Sequence, residues 1–253
     1  MNGEVAELDG DVLPKEIDEA IQTLKVLKTK HFKEHPYTMQ ITQELRDNYL
    51  QLKPFMPVLS SLKNPDFKLV HFEIVKKDFS IEIDNTLNQS LNALQELGVM
   101  EIVDEIIEIS AIATKERQLE SQLNKMNDEW KSVKFELAEY RDSEVYIVQH
   151  VQNIWDLLDE HIQKTMLIAS SPYAKFFLSE ALYWKSRLVK VQEILEEWSR
   201  AQRGWCYLWP IFNSPDIQGQ LPEVYLTFTS MDKMWRIIMS QTYASPVVLD
   251  ACS

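Results

Sequence analysis

Glycine and cysteine are both scarce in this chain of 253 residues. It contains five glycines, against about 7% in ordinary usage, and phosphate-binding loops need several glycines close together. The five are widely spaced: Gly3, Gly10, Gly98, Gly204 and Gly219. The sequence therefore excludes a Gly-rich phosphate loop and a dinucleotide-binding fingerprint. Its two cysteines, Cys206 and Cys252, cannot form a disulfide framework, which favours a reducing compartment.

Long hydrophobic runs are also missing. No segment approaches the roughly 18 uncharged apolar residues that would span a bilayer. Residues 1–11 are acidic and lack the apolar centre of a signal peptide. We therefore expect a soluble intracellular protein without a membrane partner.

Positive charge is in deficit, with 26 Lys and Arg against 39 Asp and Glu and a net charge of −13. Nucleic acids and anionic membranes require clustered cations, so neither is expected as a partner. The surplus is concentrated in residues 96–129, with nine acidic and three basic side chains. That segment is either a solvated helix face or a surface that docks to a basic partner.

Apolar residues make up 45% of the chain and recur mostly at helical spacing. Leu13 and Ile17 begin one stripe of three- and four-residue steps, and Pro36 ends that pattern. The longest pattern covers residues 99–130 without glycine or proline, which predicts a helix about 45 Å long. The predicted fold class is mainly α, an elongated stack of helical bundles. Residues 1–12 are polar and acidic and are predicted to be disordered.

The period changes to two over about residues 133–149. Val133, Phe135 and Leu137 alternate with polar or small residues, and Val145 and Ile147 resume the alternation. The polar stretch between them lies where a turn is expected, so the pattern predicts one small β-hairpin. A lone hairpin is marginally stable in water and must pack on something. It either covers a seam between helices or protrudes as a contact element.

Aromatic residues are dense between Trp198 and Phe212. They are expected to form core, with a rigid anchor against another domain as the alternative. Pro210 and Pro215 are predicted to interrupt the helical pattern in a connector, and Pro222 to begin a last helix.

One metal-binding pattern occurs, because His31, Glu34 and His35 spell H-x-x-E-H. On one helix face the two histidines could bind Zn²⁺, with the glutamate as a general base. Pro36 follows directly, however, and solvated polar residues at a helix end explain the pattern better. His161 is near Asp159 and Glu160, but no recognisable nucleophile accompanies it. We therefore predict no catalytic, cofactor or metal residues.

The stretch from Trp198 onward contains Trp205-Cys206-Tyr207-Leu208-Trp209-Pro210-Ile211-Phe212 and then Gln220-Leu221-Pro222. It resembles the linker region of dynein heavy chains, and the similarity extends over about residues 60–243. The axonemal dyneins fit better than the cytoplasmic ones. Trp209 and Val224 depart from the pattern that is usual in the family. The residues that carry the signature are Trp198, Trp205, Tyr207, Leu208, Pro210, Ile211, Phe212, Asp216, Ile217, Gln220, Leu221, Pro222, Asp232 and Trp235.

This resemblance implies an α-helical mechanical element that lies across a ring of six AAA+ modules and joins it to the dynein tail. Its bending would produce the power stroke of a microtubule motor in cilia or flagella. ATP and Mg²⁺ would be bound by the ring of a longer parent chain, so the sequence is expected to be a fragment. The hairpin tip would contact the ring through Arg141, Asp142, Ser143 and Glu144.

The predicted parts of the linker are an N-terminal helical part at 13–132, the hairpin at 133–149 and a C-terminal helical part at 150–253. The resemblance implies a cytoskeletal location in the axoneme. Two other functions are left open by the residues alone. One is a helical scaffold or adaptor without a motor role, and the other is a metal-dependent hydrolase that uses the H-x-x-E-H pattern.

Overall fold

A computed structural model describes residues 4–33 and 35–253, apart from the side chain of Gln218. The chain is mainly helical with one antiparallel β-hairpin, which confirms the predicted fold class. It divides into two compact units, one that ends at Gln118 and one that comprises Leu119–Ser253. The division predicted at residues 132 and 149 remains a prediction.

The first unit is built from short and medium helices around an aliphatic core. Pro36 occupies the first position of α2, where its missing N–H costs no hydrogen bond. Ser90 caps the start of α5 by accepting a hydrogen bond from the backbone N–H of Ala93. After the end of α5, Gly98 adopts a left-handed backbone conformation with φ of 83°. The helices are α1 (Leu13–Val26), α2 (Pro36–Leu52), α3 (Met56–Leu62), α4 (Leu69–Phe79), α5 (Leu91–Glu96) and the first part of α6 (Val103–Trp130).

Residues 4–12 differ from the predicted disorder. Val5 is fully buried in the first core, and its N–H donates to the carbonyl of Gln89 at 2.9 Å. Ala6 donates in the same way to Leu87 at 2.8 Å. One buried apolar side chain and two backbone hydrogen bonds offset the ordering of an otherwise polar segment. Residues 1–3 lie outside the described residues.

The second unit contains the hairpin and the longest helices. Its elements are β1 (Glu136–Glu139), β2 (Tyr146–Gln149), α7 (Gln152–Ser170), α8 (Leu178–Phe212), α9 (Pro215–Gln220), α10 (Pro222–Ala244) and α11 (Val248–Ala251). Pro222 begins α10 as predicted, but α11 follows it. Among the described residues, the core between these elements contains six buried tryptophans and four buried phenylalanines. At 1.5 Å per residue, α8 is about 52 Å long.

The two strands of the hairpin cover fewer residues than the alternating sequence pattern. A backbone hydrogen bond to another segment is made by the residue before β1. The strands pair in the register Glu136 to Gln149 and Glu139 to Tyr146. Before β1, Phe135 donates to the carbonyl of Pro246 at 2.8 Å.

In the described parts of the chain, no helix has the length and apolar character that crossing a bilayer requires.

Candidate functional site

The hairpin tip is a tight turn built without glycine. Arg141 and Glu144 both adopt left-handed backbone conformations, with φ of 52° and 56°. The hydroxyl of Ser143 stabilises the turn: it donates to the carbonyl of Tyr140 at 2.5 Å and accepts from the N–H of Val145 at 3.2 Å. Non-glycine residues adopt such conformations only when their surroundings hold them there. The turn is therefore a defined structure.

Three of the four predicted contact residues face solvent. Arg141, Asp142 and Glu144 are exposed, whereas only 4% of Ser143 is accessible. Ser143 therefore supports the turn and offers little surface to a partner. The other three present one positive and two negative side chains, and their contact with a ring remains a prediction.

Gln202 of α8 attaches the hairpin to the helix by binding the outer edge of β2. Its side-chain oxygen accepts from the N–H of Val148 at 2.9 Å, and its side-chain N–H donates to the carbonyl of Val148 at 2.8 Å. These two backbone groups are the ones that a third strand would bond. The amide thus satisfies an open sheet edge and fixes the position of β2 along α8.

A second attachment joins the tip to α10. Arg236 donates from Nη1 to the carbonyl of Ser143 at 2.9 Å and from Nε to Oδ2 of Asp232 at 2.8 Å. The other carboxylate oxygen of Asp232 accepts from the indole N–H of Trp205 at 2.8 Å. Asp232 therefore orients both the tryptophan of α8 and the arginine that reaches the hairpin. Hydrogen bonds to charged groups are worth about 1.5–3 kcal/mol each.

The third attachment depends on a proline within α8. The sequence pattern predicts Pro210 in a connector, but the helix continues through it to Phe212. Pro210 has no N–H, so the carbonyl of Cys206, four residues earlier, lacks its usual helical partner. The hydroxyl of Tyr140 donates to that carbonyl at 2.9 Å. The hairpin thus supplies the hydrogen bond that the proline removes, which explains why the helix tolerates it.

Aromatic rings fill the space beneath these attachments. Trp205 and Trp235 stack with centroids 6.1 Å apart, and the ring of Tyr140 meets Trp205 edge-on at 5.4 Å. This confirms the core role predicted for most of the aromatic run. Tyr207 differs, because it is 71% exposed. Its spacing of two residues from Trp205 places it on the opposite side of α8.

The signature residues fall into three groups by burial. Asp232, Leu208, Pro210 and Ile217 are partly buried, and Trp198, Trp205, Phe212 and Trp235 are buried. The exposed members are Tyr207, Ile211, Asp216, Gln220, Leu221 and Pro222.

The sequence does not identify two of the residues that attach the hairpin. Tyr140 and Arg236 have contacts 66 and 93 residues away in the chain, and no local pattern marks either of them.

His161 is a buried structural residue of the second unit. Its Nδ1 accepts from the indole N–H of Trp130 at 2.9 Å, which fixes the neutral tautomer with the proton on Nε2. That nitrogen faces a carboxylate oxygen of Glu129 at 3.6 Å. Burial lowers the pKa of His161, although the Glu129 carboxylate acts in the opposite direction. The side chain therefore packs as a neutral imidazole.

The H-x-x-E-H pattern does not lie on one helix. His31 ends a π-helical turn, whereas His35 precedes α2 in a non-helical conformation. Glu34 lies outside the described residues. Among residues 4–33 and 35–253, no group of three His, Cys, Asp or Glu side chains is placed to hold a metal ion.

Burial raises the pKa of the thiols of Cys206 and Cys252, to about 11 for Cys252, so neither is a ready thiolate at neutral pH.

Comparison with known proteins decides the family. The family model described as dynein heavy chain, N-terminal region 2, matches residues 1–253. The chain belongs to the dynein heavy chains. This confirms the resemblance carried by the signature between Trp198 and Trp235.

Similar proteins include three axonemal dynein heavy chains. Dynein axonemal heavy chain 1 of Mus musculus is 32% identical over 253 residues, which is 100% of this chain and 6% of the relative. Dynein axonemal heavy chain 3 of Homo sapiens is 31% identical over 252 residues, 99% of this chain and 6% of the relative. Dynein axonemal heavy chain 12 of Rattus norvegicus is 33% identical over 262 residues, 100% of this chain and 8% of the relative. The chain therefore spans only a small part of the relatives' length.

Proposed function

We propose that this dynein region is a segment of the linker of an axonemal heavy chain and acts as a mechanical lever. It would bend across the AAA+ ring of the same heavy chain, connect that ring to the tail and act indirectly on microtubules. ATP and Mg²⁺ would be bound by the ring. The location would be the axoneme of a cilium or flagellum. The family match over the whole chain supports this proposal.

The attachment of the hairpin to α8 and α10 is the structural observation that carries the proposal. A contact element on a lever must move with the lever, or its contact energy is lost in local bending. Gln202, Tyr140 and Arg236 each join the hairpin to one of these helices by a hydrogen bond of 2.8–2.9 Å. Force applied at the tip would therefore reach α8, whose 35 residues form one continuous helix.

Arg141, Asp142 and Glu144 are the groups we propose to contact the ring. A contact can shift a bending equilibrium only if it differs in free energy between the two positions of the lever. Exposed charges suit reversible docking, since they increase encounter rates and specificity more than lasting affinity. The proposal therefore requires that the three charges meet the ring in one position only.

A chimeric motor tests this function. This chain would replace the matching segment of an axonemal dynein heavy chain, and microtubule gliding velocity and ATPase rate would be measured together. Replacing Arg141, Asp142 and Glu144 by Gly should reduce velocity severalfold while ATP is still hydrolysed. Gly suits the two left-handed positions, so the turn itself should survive.

A matched control removes the same charges elsewhere. Replacing Lys175, Asp156 and Glu180 by Ala also removes one positive and two negative side chains, all exposed and outside the hairpin. This control should glide at the parental velocity. Normal gliding by the tip variant would refute the contact role, and a parental chimera that binds ATP but never moves microtubules would refute the lever function.

A further inference from the structure

An apolar groove lies between α8 and α10, on residues that the hairpin attachments do not use. Its volume is about 390 Å³, and its floor is formed by Ile194, Trp198, Trp235 and Ile238. A second cavity of about 490 Å³ shares three of these residues and extends the groove towards α11. Ile194 and Trp198, the two floor residues on α8, are one helical turn apart, so the groove runs along that helix.

Charges of one sign surround this groove. Glu193 and Glu197 line it on α8, and Asp250 lines its extension near α11. Among the described residues that line either cavity, none is Lys or Arg. Arg200 pairs with Glu197 at 3.0 Å, but no described cation is within ion-pair distance of Glu193 or Asp250. The rim therefore carries two carboxylates without an ion-pair partner among the described residues, Glu193 and Asp250, beside an apolar floor.

The neighbouring face of α10 is apolar and exposed. Met231, Met234 and Ile237 are 39%, 63% and 58% accessible. Methionine side chains adapt to different partner surfaces because they are unbranched and flexible. Met231 and Met234 precede Ile238 by seven and four residues, so they lie on the same side of α10, and exposed apolar surfaces on proteins mark interaction sites.

We infer that this groove binds a basic amphipathic helix. An apolar groove between two helices suits a third helix that inserts residues at i, i+3 or i+4, and i+7. The carboxylates of Glu193 and Asp250 would face Lys or Arg on the flanks of that helix and would disfavour an acidic one. This inference does not depend on the proposed lever function, because it rests on a different face of the unit.

The test uses two synthetic helices of 18 residues with the same leucine stripe. One carries Lys and Arg on the flanks and the other carries Glu at those positions. Binding to the 253-residue chain would be measured by calorimetry and by tryptophan fluorescence, since Trp198 and Trp235 form the floor. The basic peptide should bind at least tenfold more tightly than the acidic one, and added salt should reduce that ratio.

Two substitutions locate the binding. Ile238→Ser removes part of the floor at a position 40% exposed, and Glu193→Lys reverses one rim charge. Each should weaken the basic peptide at least fivefold. The matched controls are Leu167→Ser, on α7 and 71% exposed, and Glu108→Lys, exposed on α6. Both should bind as the parent does, with circular dichroism confirming that all four variants fold.

Three results would overturn the inference. Equal binding of the acidic peptide would show that the rim does not select charge. Equal loss in the controls would show that binding is not at the groove. Light scattering that reveals a dimer dissociated by Ile238→Ser would show that a second copy of this chain occupies the groove.

Discussion

The two units of the chain fill their cores with different side chains. All seven tryptophans lie in residues 119–253, whereas the core of the first unit is aliphatic with a few phenylalanines. Aliphatic side chains interact through shape alone. Trp and Tyr add a directed N–H or O–H donor to a large apolar surface. The second unit can therefore hold an element that has little core of its own.

A buried histidine in each unit shows how this difference works. His71 in the first unit accepts from the backbone N–H of Lys68 at 2.8 Å, and its Nε2 lies 3.0 Å from a carboxylate oxygen of Glu116 on α6. His161 in the second unit accepts from the indole N–H of Trp130 at 2.9 Å. Both histidines join segments that are distant in the chain, but the partner in the second unit is itself a fully buried core side chain. Trp130 therefore packs in the core and donates a hydrogen bond across it.

The largest expected effect is the loss of a central ring. Trp205→Ala should lower the free energy of unfolding by about 3–5 kcal/mol, because it removes a side chain that is 1% exposed and its hydrogen bond to Asp232. Denaturant titration would measure the loss. Tyr207→Ala, two residues away on the exposed side, should change stability by less than about 1 kcal/mol. Equal losses would contradict the assigned core.

Removing the edge attachment should have a smaller and more local effect. Gln202→Ala leaves the N–H and the carbonyl of Val148 without their partner, at a cost of about 1–3 kcal/mol. Hydrogen exchange at Val148 should accelerate with the same free energy. Gln192→Ala removes a hydrogen bond to Asp159 near the surface of α8 and should leave Val148 unaffected. Unchanged exchange in Gln202→Ala would mean that the amide does not hold the strand.

Lowering the pH should reduce the free energy of unfolding of the second unit through the titration of His161. Because the pKa of His161 is lowered in the folded state, the unfolded chain binds a proton first as pH falls below about 6.5. The free energy of unfolding then decreases with falling pH, by at most about 1.4 kcal/mol per pH unit for one proton. His161→Gln should show a shallower decrease between pH 7 and pH 5. Equal slopes in the parent and in His161→Gln would contradict this account.

The smallest effect should come from the proline and its tyrosine partner. Tyr140→Phe should cost about 1 kcal/mol, since the carbonyl of Cys206 loses its donor. In a Pro210→Ala background the new N–H of residue 210 can bond that carbonyl. Tyr140→Phe should then cost less, and a double-mutant cycle measures the difference as a coupling energy. Strict additivity would show that the two residues act independently.

The sequence predicts the parts of this unit better than their attachments. Local sequence patterns are sufficient to predict the hairpin, the start of α10 at Pro222 and the burial of the Trp198 and Trp205 rings. Each of these depends on spacing within a few residues. The helical course of α8 through Pro210 was not predictable, because the hydrogen bond that permits it comes from Tyr140, far away in the chain.

The candidate site shows the same limit. The exposed tip charges Arg141, Asp142 and Glu144 follow from a polar turn between two alternating segments. The carbonyl of Ser143 accepts from Arg236, 93 residues later, and no local pattern predicts that contact. The order of residues 4–12 likewise depends on partners near Gln89. Long-range hydrogen bonds between side chain and backbone are thus what the sequence pattern leaves undetermined.

Hydrogen exchange across the hairpin tests the central claim most directly, because a lever contact must move with its helix. The 253-residue chain would be labelled in heavy water, and the amides of Tyr140 and Val148 would be compared with those in the middle of α8. The account predicts protection of the hairpin amides within about tenfold of the α8 amides, since both would open together. Hairpin amides that exchange a thousandfold faster than α8 would contradict it and would show a hairpin that moves independently of the helix.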